Sequence, residues 1–136
     1  MPQYLAKLPQ ATQNAIGYVQ KVTGTYNGSN SGGGNSVTGD KCFLLSGKEV
    51  FGGSGVGNGS YCTTTEANAT FQYQYFQSIA TTPASRNINS SASQWGWLRS
   101  PGYNDDSRIF CIVYAGSSSS IGAGNLGDVF AAFCIY

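Results

Sequence analysis

The chain has 136 residues, with seven Lys or Arg, six Asp or Glu, a net charge of +1 and no His. That length fits one domain, and without a basic cluster the electrostatic footprint of a nucleic-acid binder is missing. The lack of His removes the commonest general base, the commonest zinc ligand and any Ser-His or Cys-His nucleophile pair.

In chain order, residues 3 to 23 predict an amphipathic helix or two: Pro9 suits a first turn, Leu5, Leu8, Thr12, Ala15 or Ile16 and Val19 recur at helical spacing, and Gly24 supplies a stop. Residues 24 to 39 hold the run from Asn27 to Ser36, too poor in apolar groups to pack, and read as a loop or linker. Residues 1–36 are therefore expected to form an N-terminal helix and Gly/Ser/Asn-rich loop, and 37–136 the core. Lys41 to Leu45 reads as a short buried strand, Gly47 as a turn, and Glu49-Val50-Phe51 as a second anchor before a glycine-rich loop from Gly52 to Gly59. Phe71, Tyr73, Tyr75 and Phe76, with Gln72 and Gln74 between them, predict a short helix. Residues 95 to 99, 108 to 115 and 129 to 135 read as three strands, with a loop at 101 to 107 and a hairpin centred on Ser117 to Ser120. The fold class is α+β, with short antiparallel strands, an N-terminal helix and long loops.

Composition bears on function. Charged residues are only 10% of the chain, against roughly a quarter in ordinary soluble domains. The polar surface must then be Ser, Thr, Asn, Gln, Gly and Tyr, the types that dominate adaptable recognition loops. No apolar run approaches the roughly 18 residues needed to cross a bilayer, and the first residues lack a signal-peptide pattern. A soluble protein without membrane insertion is expected, any export coming by assembly on a larger particle. A glycosidase-type pair needs two carboxyls roughly 5 to 10 Å apart across a cleft. Here Asp105 and Asp106 are adjacent, and Asp40, Glu49, Glu66 and Asp128 are scattered. Cys42, Cys62, Cys111 and Cys134 have no metal-ligand spacing. They read as thiols packed like small hydrophobes, or as a disulfide joining Cys42 to Cys134 or Cys111. The balance favours contact over catalysis, with no cofactor and no metal.

The order of Asp40-Lys41-Cys42-Phe43-Leu44-Leu45-Ser46, Glu49-Val50-Phe51-Gly52, Gln72-Tyr73-Gln74-Tyr75-Phe76, Trp97-Leu98-Arg99-Ser100-Pro101, Phe110-Cys111-Ile112-Val113 and Phe133-Cys134-Ile135 resembles an uncharacterised domain family of bacteriophages and gut bacteria. That family is similar to the C-type-lectin-like fold, in the branch shared with formylglycine-generating enzymes and the variable proteins of diversity-generating retroelements. The resemblance runs from about Leu5 to the end of the chain. Two features depart from it. Relatives carry two adjacent tryptophans before Leu-Arg-Ser-Pro, whereas Gly96 here separates Trp95 from Trp97. Longer relatives also carry further strands before residues 5 to 23, so the chain is expected to be a truncated domain, a short autonomous variant, or a core completed by a neighbouring subunit.

The resemblance implies a scaffold presenting a variable, ligand-facing segment, 101–129, on a virion surface, in a tail fibre, tail tip or head decoration, or on a bacterial cell surface. Strand alternation puts Cys111 and Val113 on one face and Ile112 and Tyr114 on the other. The ligand-binding residues expected are Tyr103, Asn104, Asp105, Asp106 and Arg108 from the loop, Ile112 and Tyr114 from the strand, Ser118 and Ser120 from the hairpin, and Asn125 and Asp128 beyond it. Tyr103 and Tyr114 are the anchors, because tyrosine offers large area at the cost of two rotors. Trp97, Arg99, Cys111 and Cys134 are expected to be structural, Arg99 pairing with Asp40 or Glu49 or bonding loop carbonyls. The partners expected are a host-surface protein or glycan and other virion subunits, in a homo-oligomer that gains avidity from several copies. The competing expectation is a purely structural virion protein that docks through the N-terminal helix and the 71–76 aromatic cluster.

Overall fold

A computed structural model describes residues 2–25, 34–52, 71–79, 95–101, 109–114, 117–122 and 124–136. Helices α1 (Pro2–Leu5) and α2 (Gln10–Ala15) lead into strand β1 (Val19–Gly24) and strand β2 (Asn35–Asp40). Helices α3 (Gly47–Phe51) and α4 (Gln74–Ile79) follow, and then strands β3 (Trp95–Pro101), β4 (Ile109–Tyr114) and β5 (Ser117–Gly122). The architecture is α+β, with one antiparallel pair, β1-β2, and one antiparallel three-stranded sheet ordered β3-β4-β5. Among the described residues no helix is long and apolar enough to cross a membrane.

The helical spacing expected through residue 23 holds only to Ala15. Ile16 is already extended, and Val19-Gln20-Lys21-Val22-Thr23, rich in β-branched residues, pairs residue for residue with Ser36 to Asp40. Tertiary pairing overrides a marginal helical period where β-branched side chains crowd a helix turn. The expected 24–39 loop is therefore cut short by β2, and the 36/37 boundary falls inside that strand. Glu49, Val50 and Phe51 are helical, and Gly47 is the first residue of α3 instead of a separate turn.

The third strand of the C-terminal sheet is also not the expected one. Ser117 to Ser120 form most of β5, and the pair Tyr114↔Ser117 leaves only residues 115 and 116 between the strands. Segment 129–135 makes single bridges instead. The adjoining Asp128 bridges Gly96, Ala132 bridges Phe43, and Ile135 bridges Ile16. Each is a backbone bond to a different partner: Trp97 N–H to Asp128 O at 2.9 Å, Phe43 and Ala132 reciprocally at 3.0 and 2.8 Å, and Tyr136 N–H to Ala15 O at 3.0 Å. The C-terminal segment thus sews β3, the 43 segment and the end of α2 together.

The core joins three elements that are distant in sequence. Val50 and Phe51 of α3, Phe76 of α4 and Leu98 of β3 are buried against one another, with Leu45 and Tyr73 packed on them. Each such side chain contributes about 1.5–3 kcal/mol relative to exposure. α3 closes on Gly52, whose φ of +79° is a left-handed value that glycine adopts without strain. Its N–H bonds Lys48 O. Gly96 also has a steric reason. A Cβ there would meet the Phe130 ring at 2.4 Å, so the residue that parts the two tryptophans makes the seat for that ring.

Candidate functional site

The best-defined polar assembly is built on Ser46-Gly47-Lys48-Glu49. Ser46 caps α3: its Oγ accepts from Glu49 N–H at 3.1 Å, and Glu49 Oε2 accepts from Ser46 N–H at 2.9 Å. This is the reciprocal capping box that Ser-x-x-Glu produces at a helix start. Here the Glu is only 2% exposed, and its carboxylate has other partners besides.

Arg99 reaches it from β3. The β3-β4 register shifts between Trp97 and Pro101, so Arg99 and Ser100 leave the ladder and turn to the frame, as bulges re-aim side chains. Arg99 donates to both carboxylate oxygens, Nη1 to Oε2 at 2.6 Å and Nη2 to Oε1 at 2.8 Å. The fork is the charge-assisted geometry that planar guanidinium favours. Nη1 also donates to Leu44 O at 2.7 Å and Nη2 to Val22 O at 3.1 Å. The backbone completes the joint: Arg99 N–H bonds Leu45 O at 2.9 Å, and Gly47 N–H bonds Ser100 Oγ at 2.8 Å. Of the two carboxylates expected for Arg99, Glu49 is the one that binds it.

Lys21 of β1 supplies a second cation. Its ammonium lies 3.2 Å from Glu49 Oε1, donates to Tyr73 Oη, and sits 4.0 Å from the centre of the Phe43 ring and 5.0 Å from that of Tyr73. Aromatic faces attract a cation that burial has stripped of water. Neither Lys21 nor Tyr73 belonged to the expected site. No local pattern reveals them, because 28 and 52 residues separate Lys21 from Glu49 and Tyr73. The readable signs of the cluster are the Ser-x-x-Glu signature at 46–49 and Arg99 between Leu98 and Ser100.

Burial pushes the Glu49 carboxyl up. The Arg99 hydrogen bonds and charge, the Ser46 amide and Lys21 together outweigh that push and hold it below the ordinary carboxylate range. Burial raises the Tyr73 phenol, partly offset by the Lys21 hydrogen bond and reinforced by the Glu49 charge. The carboxylate is thereby kept ionised and the phenol neutral, which suits a clamp better than proton transfer. The cluster holds two cations and one anion. Arg99 Nε, also buried, has no hydrogen-bond partner among the described residues.

The clamp fixes the strand from which the expected ligand-facing segment departs. Tyr103, Asn104, Asp105, Asp106 and Arg108 lie outside the described residues. Ile112 pairs with Trp97 and Ser119, and Tyr114 with Trp95 and Ser117. Ser118 and Ser120 pair instead with Val113 and Cys111. Asn125 is exposed in a turn, its N–H and Nδ2 both donating to Gly122 O. Asp128 is half-buried, its carbonyl accepting from Trp97. Trp97 is half-buried too.

Cys42 and Cys134 stand as thiols, not joined to each other. The Phe43↔Ala132 bridge places Cys42 one residue before, and Cys134 two residues after, the bridged pair. Burial pushes the Cys42 thiol up, with smaller opposing effects from the N-terminal charge, which lowers it, and Asp40, which raises it. Cys134 is half-buried, and Cys111 occupies β4 opposite Ser120. Among the described residues no group of three His, Cys, Asp or Glu is placed to hold a metal.

Mixed helices, a small antiparallel sheet and a buried Arg-Glu-Lys clamp define an α+β domain. The family described as Domain of unknown function (DUF6273) matches residues 2–135, and the chain belongs to it. No curated protein and no solved structure matches the chain.

Proposed function

We propose that this is a non-enzymatic, C-type-lectin-like domain of a phage particle that contacts a host-surface protein or glycan through the segment 101–129. The observation that carries this reading is the register of the C-terminal sheet. Pro101 pairs with Phe110, and Ile109 with Gly122, so the end of β3, the start of β4 and the end of β5 meet at one end of the sheet. The connection 102–108 and the turn at Asn125 leave from that common end, next to a strand anchored through Arg99 to Glu49. A rigid scaffold that projects neighbouring loops is the usual plan of a recognition surface. The low charge of the chain agrees with recognition through neutral hydrogen bonding and tyrosine.

The test is binding of a labelled, multimerised form to a panel of gut bacteria, with Tyr103→Ala, in the connection that leaves the common end, Tyr114→Ala, at the far end of β4, and the double variant alongside. Strain-selective binding that disappears in the variant, with the circular dichroism unchanged, supports the reading. Equal binding by both proteins removes the two tyrosines from the site.

A purely structural virion role is favoured by a different observation. Phe71 and Tyr75 are 70% and 66% exposed, each edge-on to a neighbour that is more buried, Tyr73 and Phe76. Exposed aromatic rings beside a short helix are the kind of surface that subunit contacts cover. Under this reading Phe71→Ser/Tyr75→Ser blocks incorporation into particles and the tyrosine pair at 103 and 114 is indifferent.

A further inference from the structure

Strand β2 is exposed along both faces from Asn35 to Gly39, and the hydrogen-bond phase of its pairing shows which backbone groups it leaves outward. Thr25 N–H bonds Gly34 O at 2.9 Å, and the register continues as Thr23↔Ser36 and Lys21↔Thr38. In an antiparallel ladder alternate pairs carry the bonds, so Ser36 and Thr38 turn their N–H and C=O toward β1, and Val37 and Gly39 turn theirs away. The partner strand confirms the phase, because Val22, opposite Val37, turns its carbonyl away from β2 and gives it to Arg99. Val37 is 59% exposed, and a Cβ on Gly39 would meet nothing within 4 Å.

Natural edge strands are guarded by Lys, Pro, bulges or covering segments. Among the described residues β2 has none of these: Asn-Ser-Val-Thr-Gly-Asp pairs without a bulge and carries its single charge at the last residue. We propose that this edge is the docking surface for β2 of a second copy of the chain, the two strands running antiparallel about a twofold axis at Thr38. Val37 then exchanges both backbone bonds with Gly39 of the second copy, and Gly39 with its Val37. Thr38 faces its own counterpart, a favourable cross-strand pair. Asp40 comes opposite Ser36, so the two carboxylates stay apart and no like charges oppose. This self-complementarity selects a second copy over an arbitrary extended peptide, and it stands independently of the receptor reading. So short a ladder falls below the size of standard stable interfaces. The pairing is accordingly weak, with a dissociation constant of about 1 µM to 1 mM, and takes effect where copies are already held together.

The experiment is sedimentation equilibrium of the full chain up to about 1 mM, with Val37→Pro and Val37→Lys. Proline removes only the outward donor, which an edge strand tolerates. Lysine keeps the donor and sets like charges near the axis. The wild type is expected to dimerise with concentration, with slowed amide exchange at Val37 and Gly39, and each variant to weaken the dimer by about tenfold or more. Val37→Lys decides the outcome where the proline variant misfolds. A wild type that stays monomeric over the range, or a dimer equally tight in the variants, overturns the proposal.

Discussion

Replacing Glu49 by Gln keeps the shape of the side chain and removes the one anion of the clamp. Glu49 is 2% exposed, and the side chains of Arg99 and Lys21 are 10% and 7% exposed, so both cations are left buried without a counter-charge. Breaking a buried pair from one side costs about 3–5 kcal/mol, a large share of the roughly 5–15 kcal/mol that holds a domain folded. Glu49→Gln should therefore lower the urea-unfolding free energy by about 3–5 kcal/mol and Tm by roughly 10–20 °C. A triple variant, Lys21→Met/Glu49→Met/Arg99→Met, should recover most of that loss, because the desolvation of all three charges disappears with them. The same carboxylate gives a pH signature. Its folded value lies below its unfolded one, so its contribution is complete above the ordinary carboxylate range and is lost as the pH falls through the folded value. Glu49→Gln should flatten that acid limb. A variant less than about 1 kcal/mol weaker than wild type, in the range of an exposed pair, would refute the clamp.

Three further predictions follow from the described contacts. Ser46→Ala removes the acceptor for Glu49 N–H and should cost about 0.5–2 kcal/mol in denaturant titration, with Ser46→Gly milder. Gly96→Ala drives a methyl into the Phe130 ring and should cost about 1–3 kcal/mol; the double variant Gly96→Ala/Phe130→Leu, which shrinks that ring, should cost less than the two single changes summed. Tyr73 titrates above the ordinary phenol value, so its contribution is complete below that value and is lost as the pH rises through the raised one; Tyr73→Phe should remove a late component from the 295 nm absorbance titration, and an unchanged curve would contradict the burial of its hydroxyl.

The parts of this fold that are legible in the sequence are those whose cause is local. The aromatic run gives the short α4, the unbroken apolar run Ile109 to Tyr114 gives β4, and Arg99 next to Leu98 and Ser100 announces a structural cation, with Glu49 among its expected partners. What escapes has a distant cause. β1 looks like the tail of a helix because Ile16 and Val19 continue the earlier spacing, and only pairing with β2 reveals it. β5 looks like a hairpin tip because serine is common in turns, yet the ladder to β4 needs no particular side chain. Segment 129–135 has strand composition but spends it on single bridges to three places. Lys21 and Tyr73 meet Glu49 only after β1 and α4 have docked on α3, so no spacing in the chain encodes their meeting.

The sewn segment 128–135 sets the order of events during folding. Asp128 holds β3, Ala132 holds Phe43, and Ile135 holds Ile16, so Ile16, Phe43 and Gly96 wait for segment 128–135 before these backbone bridges can close. Contacts that close such long loops slow folding, so these three bridges belong to its late steps, after the local β1-β2 pair has formed.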